Sequence, residues 1–393
     1  MEQLAVPIDQ TPEYIYHLRG VVHPRPELRQ KGYIFDQLTP SELERKKRCE
    51  KCSRVLAPKD RRKPNTGEPA ATVLATTSNI TPVLQSITTT GTIPETGNED
   101  RSPSLKPDVA SSDADEPSKS QNASANRCKY HPGQVSFKKW TCCNGHVMAP
   151  PCRSVKEHTP RQYPNGELEA NWRFFRTPPA GVYTQKPAVA VAIDCEMGVA
   201  ESGESELIRV SVVDYFTGIV LLDSLVWPDA KMAHYNTRFS GITRQVIQDA
   251  RRRRTCIFGR KNARKAVWRY VGPETIVVGH ATNSDLTALR WTHPVVIDTL
   301  LVEDAILRKE RPKLEDEKRE DGQDGDERGT SGKQMGSTIS PESRGVGLSL
   351  KALTRDRLKR EIQIHGRGHD SIEDALATRD LLHWHLINRV MER

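Results

Sequence analysis

The sequence predicts an α/β domain from about residue 187 onward, and three observations carry that expectation. The runs AVAVAIDCEM, ELIRVSVVDYF and GIVLLDSLVW are apolar, rich in β-branched residues and bounded by turn residues, which is the pattern of buried strands. A helical period follows them: Ala263, Ala266, Val267, Tyr270 and Val271 recur at i, i+3, i+4, i+7 and i+8, one apolar helix face. Two more strand-like runs, TIVVGH and PVVIDTL, precede two helical segments, LSLKALTRDRLK and a long one from about 371.

The second and third strands are joined by Thr217-Gly218, which reads as a hairpin turn. Far upstream, Thr39-Pro40-Ser41-Glu42 reads as a helix start, with Thr39 as cap, Pro40 in the first helical position and Glu42 closing a capping box. Between these regions, residues 59–125 shift to Thr, Ser, Pro, Asn and Asp without hydrophobic period. Such a segment buries too little apolar surface to offset its ordering entropy, and a disordered linker is expected. A second segment, 309–345, is rich in both charges, Gly and Ser, and reads as a disordered insert in the folded domain. Four regions result: 1–58, an N-terminal helix and Cys-x2-Cys segment; the 59–125 linker; 126–186, a small cysteine-rich region and connector; and the domain at 187–393.

The chain of 393 residues is 28% charged with a formal charge of +8, which suits a polyanionic partner. Its start lacks a basic stretch followed by an apolar one, and no apolar run approaches the roughly 20 residues that span a bilayer. A soluble intracellular protein without a membrane partner is expected. Its eight cysteines then read as thiols or metal ligands rather than disulfides.

The chemistry sits at VAVAIDCEMGV, where an apolar strand runs into Asp194 and Glu196. Side chains alternate along a strand, so the two acids share a face, and burying them is costly unless something compensates. Two hard carboxylates so placed form half of a Mg²⁺ or Mn²⁺ site; the pair alone reads equally as solvated or salt-bridged. Asp285 lies near a helix start, where an acid also favours the helix dipole. Asp374 lies about one turn into the last helix, five residues after His369, a stretch that alone reads also as capping by Asp370 with Glu373 three residues on.

Taken in order, Asp-Cys-Glu-Met, Gly-His-x4-Asp and His-x4-Asp resemble the three motifs of the DEDDh 3′–5′ exonuclease family, and its RNA exonuclease branch in particular. The Val-Ile-Asp-Thr strand after the second motif matches as well, and the resemblance covers about 187–390. It implies a ribonuclease H-like fold, a mixed sheet of about five strands flanked by helices. It implies that Asp194, Glu196, Asp285 and Asp374 hold two Mg²⁺ or Mn²⁺ ions, with His369 as general base. The implied reaction removes nucleoside 5′-monophosphates from the single-stranded 3′ end of RNA. Met197 is implied in the 3′-nucleotide pocket, with core packing as the alternative. Asp298 and His280 read as structural, and Cys195, alternating away from the acids, as a buried small residue.

The run at 251–270 holds nine Lys or Arg and no acid. As a helix it would turn its charges outward, to phosphates or to solvent, with Arg264 and Lys265 as candidate substrate contacts. The RRRR tetrad and the resemblance give nuclear residence as the expectation, with the cytoplasm as alternative.

Outside this domain, Cys49-x2-Cys52 is followed by Cys128, His131, Cys142, Cys143, Cys152 and His158, potential ligands for tetrahedral zinc. The second part resembles the cysteine- and histidine-rich CHORD domain in CKYHPG and KxWTCC. It departs in the 75 residues between Cys52 and Cys128 and in the five between Cys152 and His158. Ligand pairing stays open between one and two zinc ions, and His146 is a further candidate. A protein partner for this region is the corresponding expectation. The alternatives to an exoribonuclease are a 3′–5′ DNA exonuclease on the same fold, or a catalytically silent adaptor acting through the zinc region.

Overall fold

The computed structural model describes residues 6–56, 127–184, 186–308, 347–364 and 366–391. The segments read as disordered, 59–125 and 309–345, lie outside the described residues. The centre is a seven-stranded mixed sheet. Its strands in chain order are β1 (Ala190–Ala200), β2 (Ser205–Asp214), β3 (Val220–Trp227), β4 (Met232–His234), β5 (Ile257–Phe258), β6 (Ile276–Gly279) and β7 (Val296–Asp298). The spatial order is β5-β3-β2-β1-β6-β7, with β4 pairing β1 beside that path. β1, β2 and β3 form an antiparallel meander, while β6 and β7 run parallel to β1. The five expected strands are all present. The two extra ones, β4 and β5, span three and two residues, too short to carry a period.

Alternation in β1 decides where its acids go. Val191, Ile193 and Cys195 enter the core on one face of the sheet. Ala190 and Ala192 enter the core on the other, together with Ala375 and Leu382 of the C-terminal helix Ser371–His385. Asp194 and Glu196 continue this second face, so they emerge beneath that helix. The β2–β3 hairpin turns at Thr217-Gly218 as expected: Gly218 has φ 70°, and the Asp214 carboxylate accepts the N–H groups of Phe216 and Thr217.

Three expectations are corrected. First, the N-terminal segment is not a separate unit. Tyr14 and Leu18 pack on one face of the sheet and Leu28, Tyr33 and Phe35 on the other. The Tyr14 hydroxyl bonds the Tyr215 hydroxyl at 2.9 Å, and the Ile8 N–H donates to Phe216 O. Leu18 and Leu28 are fully buried; each such side chain stabilises by about 1.5–3 kcal/mol. The helix at Thr39 forms with its capping box intact. Second, the basic run is not one helix. A helix Arg244–Arg253 ends at Arg254, which is left-handed at φ 56°. Ile257 and Phe258 then extend to pair with β3, and a new helix spans Gly259–Val267, leaving Tyr270 and Val271 beyond it. Pairing with the sheet outweighs helix propensity here. Third, the connector read within 126–186 packs on the rest of the chain: Phe175–Arg176 pairs in parallel with Trp291–Thr292, and Gln37 bonds Phe174 on both sides of its amide. Among the described residues no helix is long and apolar enough to cross a membrane.

Candidate active site

Each expected site residue is positioned by a local device. On β1, Asp194 lies opposite Ser211 and Glu196 opposite Arg209. After β6 the chain turns through Ala281, a non-glycine residue at φ 56°. Asp298 holds that turn: its Oδ1 accepts the N–H of Ala281 at 2.9 Å and of Leu300 at 3.0 Å, while the Tyr33 hydroxyl donates to Oδ2 at 2.6 Å. The turn leads into the helix Asn283–Ala288, which carries Asp285. Asp285 Oδ1 in turn accepts the Cys195 N–H at 3.0 Å, fixing the second motif against the first.

The third motif is pinned to β2. Ser371 Oγ meets Ser211 Oγ at 2.6 Å, and Arg209 reaches Asp370 Oδ1 at 3.1 Å. Asp370 caps the helix through the Ile372 N–H, whereas Glu373 turns away to accept the Gln363 N–H. Asp374, one turn in, is thereby aimed at β1. His369 stands before the helix, with Nδ1 3.7 Å from Asp374 Oδ2. Its loop packs closely because Gly368 and Gly241 touch; a Cβ on Gly368 would sit 2.4 Å from the Gly241 Cα. The same contact lets the His369 N–H bond Phe239 O. Beside His369 opens a cleft of about 620 Å³, lined also by Arg209, Asp223, Gly241 and Glu373.

The electrostatics ask for a cation. Burial, then repulsion from Asp285, Asp374 and Glu196, holds the Asp194 carboxyl well above the usual carboxylate range. Burial, then the Asp374 charge, pushes Glu196 up to about 8, against some relief from Arg209. Burial raises Asp374 to about 6 despite a hydrogen bond from Gln363. Burial raises Asp285 as well, against the opposing Cys195 N–H bond. Arg209, the cation nearest Glu196, is already shared between Asp223 and Asp370. Asp374 Oδ1 is buried with no hydrogen-bond partner among the described residues. Four repelling carboxylates and an orphaned oxygen fit hard divalent cations, whose charge inverts this penalty. His369 moves the other way: burial, then the nearby Lys351 charge, lowers its pKa, which favours the neutral imidazole.

Other sequence candidates fall elsewhere. His280 is half-buried and bonds the Thr299 hydroxyl at 2.9 Å and Leu348 O at 3.0 Å. Met197 is half-buried, opposite Leu207 on β2, and packs against the core. Arg264 does not project outward: it is 4% exposed and donates to Leu289 O at 2.8 Å. Lys265 is half-buried. Sequence reading missed Arg209, Ser211 and Gln363. They belong to no motif, and only strand register and a loop bring them to the acids.

The eight Cys and His candidates form two groups of four: Cys49, Cys52, Cys128 and His158, and His131, Cys142, Cys143 and Cys152. Cys49 and Cys128 sulfurs are 3.7 Å apart, Cys142 and Cys152 sulfurs 3.5 Å. That is far beyond a disulfide, at about 2.05 Å, and near the edge of a tetrahedron with metal–sulfur bonds of about 2.3 Å. His146 is in neither group; its Nδ1 accepts the Met148 N–H. The first group draws Cys49-x2-Cys52 and the 128–158 region into one module, so this Cys pair does not stand apart with the N-terminal segment.

Fold and acid cluster together define an α/β domain with four acids gathered at the end of its central strand. No family model matches the chain. It is 27% identical over 265 residues to RNA exonuclease 3 of Candida albicans, covering 67% of this chain and 55% of that protein. It is 30% identical over 239 residues to the interferon-stimulated 20 kDa exonuclease-like 2 protein of Bos taurus, covering 60% and 58%. Among solved structures, the Pan2 catalytic unit of Neurospora crassa, described as a protease and nuclease domain, is 22% identical with a TM-score of 0.37, over 56% of this chain and 32% of that one. The chain is thus homologous to proteins named as RNA exonucleases and exonuclease-like proteins, and it spans about half the length of the curated relatives it matches. The CHORD resemblance of the cysteine-rich part finds no counterpart in these matches.

Proposed function

We propose that this chain is a divalent-metal-dependent 3′–5′ exoribonuclease that releases nucleoside 5′-monophosphates, in RNA processing and with nuclear residence. The observation that carries it is the convergence of Glu196, Asp285 and Asp374, from three motifs, around Asp194, with His369 Nδ1 3.7 Å from Asp374. Two Mg²⁺ or Mn²⁺ ions held by these four acids would supply the positive charge that stabilises the attacking and departing oxygens of an in-line displacement. The chain's own groups do the rest. His369 takes the proton of the attacking water while the P–O3′ bond breaks. Arg209, locked by Asp223 and Asp370, holds the loop and helix that carry His369 and Asp374 in register with β1. The cleft beside His369 accepts a strand end. The two Cys/His groups hold structural zinc, which supplies folding energy to a module with few apolar residues.

The test is product identity. Single-stranded RNA and matched DNA are incubated with and without Mg²⁺, and the small products are separated by chromatography. Nucleoside 5′-monophosphates from RNA, only with metal, support the reading. Faster release from DNA would move the substrate to DNA. Nucleoside 3′-monophosphates, or no product from a folded chain, would refute it.

A further inference from the structure

A second cavity, about 530 Å³, lies away from the acids, between the segment at 161–175, the β1–β2 hairpin and the Gly259–Val267 helix. Ala200 at the end of β1 lines it. Ala200 lies four positions beyond Glu196, about 13 Å along the strand. Two arginines in its wall, Arg264 and Arg290, are each 4% exposed.

Neither has a carboxylate partner among the described residues. Arg290 donates Nε to Asn171 O and Nη1 to Thr287 O, both at 2.6 Å. Arg264 gives Nη1 to Leu289 O, and its Nε is buried with no partner. Four of the five acids around the cavity are paired with other cations: Glu206 with Arg260 at 2.7 Å, Glu204 with Arg48 at 2.8 Å, Glu201 with Lys231 at 3.0 Å and Glu167 with Arg161 at 3.3 Å, while Asp229 accepts the Arg260 N–H at 3.2 Å. Burying a charge without a counter-ion is expensive, because its lost hydration goes unreplaced. Burial first, then the Arg260 charge, brings the pKa of Arg264 down to about 10 and that of Arg290 to about 9, the latter despite Glu204 and Glu206.

An aromatic surface adjoins this charge. Phe175 is 36% exposed, with the Arg264 guanidinium 4.0 Å from its ring centre and that of Arg173 at 5.4 Å. Exposed Lys261 completes the rim. Buried guanidiniums that lack anions, beside an aromatic face, are what a single nucleic acid strand needs: a place for phosphate and a place for a base.

We propose that this cavity is a phosphate-group site that grips the RNA backbone upstream of the 3′ end, with Arg264 and Arg290 on the phosphate and Phe175 stacking a base. Its ligand rests on the nuclease reading; its charge and shape do not. The site keeps the strand attached while its end lies among the acids.

The test measures binding, not turnover. Full-length Asp194→Asn protein, which leaves RNA intact, is titrated with a fluorescent single-stranded RNA 12-mer across a salt series. Arg264→Gln and, at the exposed rim, Lys261→Glu are each added to it, and circular dichroism checks folding. Affinity is expected to fall about tenfold or more when a charged hydrogen bond to the strand is removed. The slope of log affinity against log salt should shrink by about 0.7 for each phosphate that is no longer neutralised. Unchanged affinity and slope in the folded variants would overturn the proposal, and Lys261→Glu decides if Arg264→Gln does not fold. Inorganic phosphate is titrated in parallel. Phosphate binding that the variants abolish, with RNA affinity unmoved, would refute the strand as ligand. RNA hydrolysis by the unmutated protein, with no binding defect in the variants, would keep the nuclease reading and reject this site. Weakened binding without hydrolysis in the unmutated protein would do the reverse.

Discussion

Replacing Glu196 by glutamine should make the Mg²⁺-free protein more stable at neutral pH, although it deletes a candidate metal ligand. Glu196 is 7% exposed. Burial and the Asp374 charge lift its pKa from 4.5 to about 8. A carboxyl that binds its proton more tightly when folded contributes stability that is fully present below about pH 4.5 and is lost as pH rises through about 8. At about 1.4 kcal/mol per pH unit, the penalty is about 3 kcal/mol at pH 7 and approaches about 5 kcal/mol above pH 8. Glutamine is uncharged throughout and should recover it, since Arg209 keeps Asp223 and Asp370. For a domain of about 200 residues, 3 kcal/mol corresponds to roughly 6–12 °C in Tm. The assay is calorimetry from pH 4.5 to 9, dialysed free of Mg²⁺ but without chelator, so that the Cys/His groups are undisturbed. The gain should vanish near pH 4.5, grow with pH and shrink when Mg²⁺ is added, because the ions relieve the same repulsion. A Tm lowered at pH 7–9, or a gain independent of pH, would refute the repulsion.

Tyr33→Phe removes the donor to Asp298 Oδ2 and should cost about 1–3 kcal/mol in denaturant titration; no loss would detach the N-terminal segment from the site. Gly368→Ala, at a residue with φ +77°, pushes a Cβ to within 2.4 Å of the Gly241 Cα. With His369 displaced by an ångström or so, kcat on RNA should fall about 100-fold, and the strained backbone should lower stability by more than about 1 kcal/mol in denaturant titration; full activity would detach this glycine contact from the placement of His369. Two zinc ions per chain are expected by elemental analysis of the purified protein, and Cys128→Ser should leave one; an unchanged content would remove Cys128 from its group.

The site was legible in sequence because its chemistry is local. Asp194 and Glu196 lie one strand-step apart, His369 and Asp374 about one helical turn apart, and such spacings survive folding intact. The three long strands were legible for the same reason. What was not legible depends on partners distant in sequence. Tyr33 reaches Asp298 across 265 residues, and no local pattern marks the N-terminal segment as part of the core. Arg264 reads as one more exposed cation until Phe175 and Trp268 close over it. The basic stretch around Arg254 has helix-forming composition, and only an edge position beside β3 explains why it breaks there. For the cysteines, ligand type and number were readable but pairing was not, because Cys49 and Cys128 meet across the linker.

Most directly decisive is a time course on 5′-labelled single-stranded RNA, comparing the unmutated protein with Asp194→Asn, with Mg²⁺ and without. The expected result is a ladder that shortens one nucleotide at a time from the 3′ end, only with metal, and absent in the folded mutant. A mutant that shortens RNA at the normal rate, or a labelled mononucleotide released at once from the 5′ end, would contradict the assignment of these acids to 3′–5′ hydrolysis.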